Sequence, residues 1–408
     1  MASRPLFPHV RRALALALVV GACSSSVAQD STTGPPVAAP STTTSTSVPP
    51  PTTTTTSPPP PAVTLRGPMP SRLQALAEQL YNHLLDGAGP MPAMVAGLED
   101  YVRGHDVSPG VMRARGSEAT LANGDRVGVV ATATDGLVFM DPKGARQDWR
   151  LVAAMLDGRP PWLGPDSLRN LVVIGSDARV GEDQLNLRAD SIHILTLRTR
   201  QGTGALVGFP RDSWIQGSKL TDLMPGRGPE GMLQILEETT GLELEGWVAV
   251  GFEGFLSLMG DLGDLEITLP TAMPSGNSWA DYPEGEQSLD PQLALRLARI
   301  RKDLPNGDLD RSVNQGRIIL AALTMLQGQG LVHLPQWVAS YSSHGFTSLD
   351  TRALVTFAAA AHVADPEAIT NIVLPGSYGW VGAASVVFLG DAAQAIYADM
   401  ADGLVGNN

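Results

Sequence analysis

The sequence predicts an α/β protein in which helices flank a central mixed, largely antiparallel sheet, preceded by a small N-terminal α+β accessory region. Three apolar runs with short connections follow one another between residues 170 and 212, the pattern of an antiparallel meander. Strand-like and helix-like segments follow one another after residue 228, which favours helices packed on a sheet. The 408 residues, 43% of them hydrophobic, are enough for a full-sized core.

The first 22 residues have the pattern of a secretory signal peptide. Three arginines precede an apolar run from Ala13 to Ala22, which is too short to span a bilayer as a helix. Residues 20–23, Val-Gly-Ala-Cys, resemble the lipobox of bacterial lipoproteins, in which the cysteine is acylated and becomes the mature N-terminus. We therefore expect lipidation of Cys23 and a protein anchored to a membrane by its lipid. The alternative is a leftover thiol in a removed peptide.

Residues 23–64 contain the lipidated cysteine and a segment rich in Ser, Thr and Pro. This composition cannot bury enough apolar surface to fold. Proline runs favour an extended polyproline II chain, so the segment is expected to be a disordered stalk with a reach on the order of 100 Å.

Composition excludes several classes of protein. Cys23 is the single cysteine, which excludes an intramolecular disulfide and a cysteine-based zinc cluster. The net charge is −13, and removing residues 1–22 takes away three positive charges and no negative ones, leaving about −16. This acidic balance argues against nucleic acid as a partner, because a phosphate backbone selects for basic surfaces.

Residues 65–165 are predicted to form the accessory region. Leucines at three- and four-residue steps after Ser71, the expected N-cap, predict helix within residues 71–103. Residues 125–156 predict strands joined by tight turns at Asp135-Gly136 and at residues 141–144. No catalytic or metal-binding residues stand out in this region, whose sequence shows neither a carboxylate pair nor a histidine cluster.

The meander predicts a functional site. Because alternate strands run in opposite directions, the end of the first, the start of the second and the end of the third meet at one sheet edge. The charged residues at these three positions are Asp177, Arg179, Arg188, Asp190, Arg211 and Asp212. Carboxylates without Cys or His partners suit magnesium, which prefers oxygen ligands and usually shares phosphate oxygens. The alternative for Asp177 and Asp190 is a pair of salt bridges that cap turns.

The following segments are predicted to pack around this sheet. A helix over residues 229–240 is expected to stop at Gly241, strands are expected at residues 247–252 and 265–270, and Asp290-Pro291 is expected to begin a helix. A further helix after Gly307-Asp308 would carry Arg311 and Gln315 on one face, because they are four residues apart.

Residues 297–317, "LARIRKDLPNGDLDRSVNQGR", concentrate arginine in an acidic chain. Arg299 and Arg301 are two apart, which in an extended chain places both on one face with Ile300 pointing inward. Arginines in several directions suit a phosphate or pyrophosphate, because each guanidinium fork binds two oxygens. The alternative is a solvated loop.

Other catalytic motifs are missing from the sequence. It contains no Gly-x-Ser-x-Gly, no Walker-type phosphate loop and no His-Glu-x-x-His. The seven histidines are scattered, and His193 within a predicted strand is expected to be a packed histidine rather than a ligand.

Five short motifs together resemble the catalytic domain of the LytR-CpsA-Psr family. They are Gly175-Ser176-Asp177-Ala178-Arg179, Arg188-Ala189-Asp190, Pro210-Arg211-Asp212, Arg299-Ile300-Arg301 and Asp308-x-x-Arg311-x-x-x-Gln315. The C-terminal stretch "NIVLPGSYGWVGAASVVFLGD" extends the resemblance, so the catalytic domain is assigned to residues 166–404.

This resemblance implies a magnesium-dependent phosphotransferase. Family members act outside the cytoplasm and move a glycopolymer from a polyprenyl-pyrophosphate carrier onto peptidoglycan, with a hydrophobic tunnel for the prenyl chain. The implied location is the cell-wall space at the extracytoplasmic face of the membrane. Most family members are held there by a transmembrane helix, whereas the lipobox at Cys23 predicts a lipid anchor for this chain. By position, Asp177 and Asp190 would bind the metal. The implied pyrophosphate ligands are Arg179, Arg188, Lys219, Arg311 and Gln315, and the implied catalytic residues are Asp190, Arg211, Asp212, Arg299 and Arg301. Either Asp212 or Asp190 would be the base.

Two positions depart from the family pattern. Lys219 is followed by Leu-Thr where the family often has Ile-Asn, and Asn314 stands where the family usually has Arg before the Gln. Two other functions therefore remain open. One is a prenyl- or sugar-pyrophosphate hydrolase that uses water as acceptor, and the other is a non-catalytic lipoprotein that binds the lipid carrier.

Overall fold

The computed structural model describes residues 62–87, 89–143, 148–273, 282–302 and 304–406. The signal peptide, Cys23 and nearly all of the stalk lie outside the described residues. The elements of the N-terminal part are β1 (Val63–Arg66), α1 (Ser71–Asp86), α2 (Leu98–Arg103), β2 (Gly110–Arg113), β3 (Arg115–Thr120), β4 (Arg126–Ala131), β5 (Gly136–Asp141) and β6 (Arg150–Met155). Val63 and Thr64, which the sequence assigns to the stalk, lie in β1.

The N-terminal elements form an antiparallel sheet in the order β3-β4-β5-β6, covered by α1. Leu73, Leu80 and Tyr81 of α1 are fully buried against it. The turn at Asp135-Gly136 joins β4 to β5, as predicted. The expected N-cap is wrong: Ser71 is the first helical residue, and the preceding Pro70, with an extended backbone, holds the cap position without a side-chain hydrogen bond.

The remaining elements follow from residue 168. They are β7 (Leu168–Ser176), β8 (Ala189–Arg198), β9 (Thr203–Gly208), β10 (Trp214–Ile215), β11 (Ser218–Lys219), α3 (Met224–Thr240), β12 (Trp247–Val250), α4 (Phe252–Leu262), β13 (Leu265–Leu269), β14 (Gly285–Leu289), α5 (Pro291–Leu297), α6 (Asp308–Gln329), α7 (Leu334–His344), β15 (Phe346–Thr347), α8 (Thr351–Val363), β16 (Ile369–Val373), β17 (Gly376–Val381), β18 (Ala384–Leu389) and α9 (Asp391–Met400). Asp290 caps α5 by accepting a hydrogen bond from the Leu293 N–H, and Gly241 ends α3 in a left-handed conformation, both as predicted.

The central sheet has the strand order β15-β12-β7-β8-β9-β16. Strands β7, β8 and β9 form the predicted antiparallel meander. The pairs β12–β7 and β9–β16 are parallel, whereas β12–β15 is antiparallel. The sheet is therefore mixed and flanked by helices, which confirms the predicted fold class.

The two faces of this sheet bury different helices. Val172 and Ile174 point to the face that is covered by α3 and α9, whereas Leu171 points to the face that is covered by α6, α7 and α8. This alternation is the period-two pattern of a strand buried on both sides. On the first face, Tyr397 of α9 stacks on Phe209, which follows β9, with ring centroids 6.2 Å apart.

Among the described helices, none is by itself long and apolar enough to cross a bilayer. One pair, Asp308–Gln329 and Leu331–His344, meets that criterion together by length and composition, but it is bent by 105°.

Candidate functional site

The meander brings Asp190 and Arg211 together at one edge of the sheet. Asp190 is the second residue of β8, and Arg211 follows β9. Nη1 of Arg211 donates a hydrogen bond to Oδ1 of Asp190. Nη1 of Arg311, on α6, lies 3.7 Å from the other carboxylate oxygen of Asp190. Two guanidinium groups from distant parts of the chain therefore hold one carboxylate, and the direction of the strands led us to expect Asp190 and Arg211 at the same edge.

Asp177 lies beside this pair, just after β7. Its backbone N–H donates to the Arg188 carbonyl at 2.9 Å. Burial and the neighbouring Asp190 carboxylate raise the pKa of Asp177. The two carboxylates thus repel each other, and a cation between them would relieve that repulsion.

Within the described ranges, no group of three or more His, Cys, Asp or Glu side chains is arranged to hold a metal ion. Magnesium often binds through one or two carboxylates and completes its shell with water and phosphate oxygens. The Asp177–Asp190 pair therefore fits magnesium only together with a phosphate ligand.

Asp308 is a site residue that the sequence analysis named within a family motif but gave no role. Nη2 of Arg311 lies 2.5 Å from its Oδ1, and Nε of Arg301 lies 3.9 Å from the same oxygen. Asp308 and Arg311 are both only 6% exposed. Asp308 is the first residue of α6, where the helix dipole favours a carboxylate. The three-residue spacing from Asp308 to Arg311 was the available signal, because such residues share a helix face.

The expected geometry of Arg299 and Arg301 is wrong. The stretch is a turn that continues from α5, and the N–H groups of Arg299 and Ile300 both donate to the Arg296 carbonyl. The two side chains consequently diverge. The Arg299 guanidinium lies 4.6 Å from the centroid of the Phe252 ring, whereas Arg301 points toward Asp308.

The other predicted site residues lie around this centre. Nζ of Lys219 is 3.1 Å from Oδ1 of Asp212. Nε of Arg188 is 3.0 Å from Oδ1 of Asp222, and this pair is largely exposed. Arg179 is exposed, in the loop after β7. The structure thus brings Lys219 and Asp212 together, and it places Arg179 and Arg188 outside the ion pairs that surround Asp190.

A cavity of about 120 Å³, called the inner cavity below, lies beside Asp190. Its polar end is formed by Asp190, Arg299, Arg311 and Gln315. Its apolar lining includes Ile174, Val250, Phe252, Phe255, Leu295, Ile318 and Ile319. The sequence predicted strand up to residue 252, but β12 ends at Val250, and Phe252 and Phe255 lie one turn apart on α4. Their i, i+3 spacing was the missed signal for a cavity wall.

A second, polar cleft of about 510 Å³, called the outer cleft below, lies on the other side of Asp308. Asp212, Arg301, Asp308 and Tyr378 contribute to its wall. Asp308 lines the outer cleft and pairs with Arg311, which lines the inner cavity, so this ion pair lies at the boundary between the two spaces.

The arginines at this boundary have unused hydrogen-bond donors. Nε of Arg211 and Nε of Arg311 are buried and have no hydrogen-bond partner among the described residues. Burial also lowers the pKa of Arg311, although a guanidinium stays charged at neutral pH. Buried donors are normally satisfied, so both N–H groups are suited to an anionic ligand, and Arg311 lines the inner cavity from which such an anion could enter.

Two polar residues of the core are explained by packing. His193 is fully buried, and its Nε2 lies 3.1 Å from the Ser312 carbonyl, which confirms the expectation of a packed histidine. Asn314 is also fully buried, and its Nδ2 lies 3.2 Å from Sδ of Met273. The departure from the family pattern at Asn314 therefore lies in the core and outside the lining of the inner cavity.

Comparison with known proteins places these residues in a family. The model of the LytR_cpsA_psr family matches residues 163–401. The cell wall biosynthesis protein LcpA of Corynebacterium glutamicum is 25% identical in an alignment of 217 positions, and the match covers 42% of this chain and 42% of LcpA. The polyisoprenyl-teichoic acid–peptidoglycan teichoic acid transferase TagU of Oceanobacillus iheyensis is 26% identical in an alignment of 172 positions, and the match covers 38% of this chain and 50% of TagU. The chain thus spans about half the length of these relatives or less.

The solved structures show the same fold. The crystal structure of TagV from B. subtilis superposes on this chain with a TM-score of 0.50 at 18% identity. The superposition covers 59% of this chain and all of the TagV chain.

Proposed function

Because the chain belongs to the LytR-CpsA-Psr family, we propose that it is a transferase that moves a glycopolymer from a polyprenyl-pyrophosphate carrier onto peptidoglycan. The observation that carries this proposal is the inner cavity. It is apolar along most of its wall and ends at Arg299, Arg311 and Gln315. A polyprenyl pyrophosphate is divided in the same way, into an apolar chain and a doubly charged head.

The cavity volume limits what enters without rearrangement. A cavity of about 150 Å³ accepts a benzene-sized molecule, so about 120 Å³ accommodates roughly one isoprene unit. A longer prenyl chain would therefore extend out of the cavity, past the walls formed by α4, which carries Phe252 and Phe255, and α6, which carries Ile318 and Ile319.

The arginines would hold the pyrophosphate. Arg299 lies at the border of the apolar wall, and the buried Nε groups of Arg211 and Arg311 supply unused donors. Fixed guanidinium groups in a partly dry site stabilise the charge that develops on the transferred phosphate and on the departing prenyl phosphate.

Asp177 and Asp190 would hold magnesium together with the pyrophosphate oxygens. The ion, when bound, supplies positive charge at the transferred phosphate. Arg211 and Arg311 keep Asp190 oriented toward this position, since both contact its carboxylate.

The acceptor hydroxyl would approach through the outer cleft. Its oxygen forms the new bond to the phosphorus that carries the glycopolymer, the bond from that phosphorus to the prenyl phosphate breaks, and the proton passes to a carboxylate. Asp212 lines the outer cleft and pairs with one cation, Lys219, whereas Asp190 is engaged by two guanidinium groups. We therefore favour Asp212 over Asp190 as the base.

The proposal includes an anchor and a location. Lipidation of Cys23 would fix the chain at the extracytoplasmic face of the membrane, with residues 24–61 bridging the distance to the folded part. The prenyl carrier and the peptidoglycan acceptor meet in that space.

The test is a transfer assay with magnesium and a labelled polyprenyl-pyrophosphate glycan, with and without peptidoglycan fragments. Acceptor-dependent product supports the proposal, and Arg211→Ala should abolish it while the exposed Arg72→Ala should not. Prenyl-phosphate release that does not depend on acceptor would instead show a pyrophosphatase. Tight binding without either product would show a non-catalytic carrier-binding protein.

A further inference from the structure

The hairpin formed by β17 and β18 is a wall of the outer cleft. The N–H of Val387 donates to the Asp212 carbonyl at 2.9 Å, and Val387 also forms a bridge with Ser213. The hairpin is therefore fastened to the segment that carries the Asp212 carboxylate. A molecule bound to its cleft-facing side would lie next to that carboxylate.

Two exposed aromatic side chains share this side of the hairpin. Tyr378 pairs in register with Val387, and Trp380 pairs with Ser385. Tyr378, Val387 and Ser385 line the outer cleft. Residues two apart in a strand point to the same face about 7 Å apart, so Trp380 lies next to Tyr378, at the edge of the cleft and outside its lining. Tyr378 is 60% exposed and Trp380 is 71% exposed. Neighbouring large apolar side chains that remain exposed mark a binding surface.

The rest of the outer cleft is polar. The Tyr378 hydroxyl donates to the Asn306 carbonyl at 3.3 Å, which fixes the ring opposite the turn that contains Arg301. Asp212 and Arg301 add an acceptor and donors. Aromatic faces next to such groups suit a sugar, because the weakly positive C–H groups of a pyranose ring meet the negative face of the aromatic ring.

We propose that Tyr378 and Trp380 form a stacking platform for a sugar ring of the acceptor peptidoglycan strand and direct its hydroxyl toward Asp212. This inference rests on the proposed transferase function. The donor occupies the inner cavity, on the far side of the Asp308–Arg311 ion pair. Since the attacking oxygen and the leaving oxygen are roughly in line at phosphorus, the acceptor belongs on the opposite side from the prenyl phosphate, in the outer cleft.

Calorimetry with a peptide-free tetrasaccharide of alternating N-acetylglucosamine and N-acetylmuramic acid tests the platform on the full chain. Trp380→Ala and Tyr378→Ala should each weaken binding roughly tenfold. The matched control is Phe388→Ala, because Phe388 is exposed on the same hairpin but pairs with Ser377 on the other face. Unchanged affinity in both cleft-facing variants, or a wild-type chain that does not bind the tetrasaccharide, would overturn the platform. Thermal melting verifies that the hairpin variants are folded.

A second probe, geranylgeranyl pyrophosphate, separates failure of the platform from failure of the proposed function. Wild type, Trp380→Ala and Tyr378→Ala should bind it equally. A wild-type chain that binds the tetrasaccharide through these aromatics but not the pyrophosphate would support the platform and contradict the proposed donor site. In the transfer assay, KM for the acceptor should rise roughly tenfold in the two variants, with kcat and KM for the donor unchanged. A rise confined to the donor KM would overturn the acceptor assignment.

Discussion

The guanidinium of Arg299 lies 4.6 Å from the centroid of the Phe252 ring, at the border between the polar end and the apolar wall of the inner cavity. A cation at this distance from an aromatic ring is attracted by the ring's quadrupole. This cation–π contact with Phe252 holds the Arg299 guanidinium in place without using its N–H groups as hydrogen-bond donors. Those N–H groups therefore remain available for phosphate oxygens. Phe252 thus belongs to both parts of the cavity.

Replacement of Arg299 should show this role in catalysis. We expect Arg299→Ala to lower turnover by roughly 10²- to 10³-fold, the usual cost of removing a preorganised donor to developing charge. Arg299→Lys should recover only part of the loss, because an ammonium group is a point charge and cannot bind two oxygens with a planar fork. The transfer assay measures both.

The control for this pair is Arg72→Ala, a change of the same chemistry at an exposed helical position. Equal turnover in Arg299→Ala and Arg72→Ala, with both melting like wild type, would show that Arg299 is a solvated side chain.

The two carboxylates should differ in what their removal does to stability. Asp177→Asn relieves the repulsion with Asp190, so it should weaken the dependence of turnover on magnesium without lowering the melting temperature. Asp190→Asn removes the carboxylate that pairs with Arg211 and one of the two that pair with Arg311, so it should lower both the magnesium dependence of turnover and the melting temperature. Magnesium titrations and thermal melts of the two variants distinguish these effects. Wild-type magnesium curves in both variants would remove the metal assignment.

His193 should make the fold sensitive to acid. Burial lowers its pKa from 6.5 to about 4, so the unfolded chain binds a proton at a higher pH than the folded one. The contribution of neutral His193 to the free energy of unfolding is therefore fully present above pH 6.5. It is lost as the pH falls toward about 4, and the loss is on the order of 3 kcal/mol. Melts of wild type and His193→Gln at pH 7 and pH 4.5 should show a smaller acid-induced decrease in the variant. Parallel decreases would mean that other groups account for the acid sensitivity.

Cys23→Ala tests the anchor. The Val-Gly-Ala-Cys sequence predicts that this variant is released from membranes or retains its signal peptide. Membrane fractionation and mass spectrometry of the mature N-terminus are the measurements. An unchanged membrane fraction and a lipid-free N-terminus in the wild type would contradict lipidation.

The meander was predictable because its strands are consecutive and their connections are short. Chain direction alone then placed Asp190 beside Arg211, a contact that the structure shows. The parallel neighbours β12 and β16 were not predictable in the same way, because they pair with β7 and β9 across long intervening segments. Pairing of this kind depends on the packing of helices that a local pattern does not specify.

The arginine stretch shows a second limit. Arg299 and Arg301 alternate in the sequence as they would in a strand, but the end of α5 continues through hydrogen bonds to the Arg296 carbonyl and turns them apart. The turn at the end of α5 determines where the Arg299 and Arg301 side chains point. The two-residue spacing in the sequence does not reveal this turn. The outer cleft was missed for a related reason, because Tyr378 and Asp212 meet only through the tertiary contact of Val387 with Asp212.

The stacking of Tyr397 on Phe209 has a consequence for how the chain is delivered. Phe209 lies two residues before Arg211, and the hydrophobic core that contains Phe209 also contains buried side chains of α9. That core cannot be completed until α9 has been synthesised. The signal peptide predicted for residues 1–22 would direct the chain through an export channel, in which a polypeptide must remain unfolded. Late closure of this core by α9 would then favour translocation and delay assembly of the arginine cluster until after export.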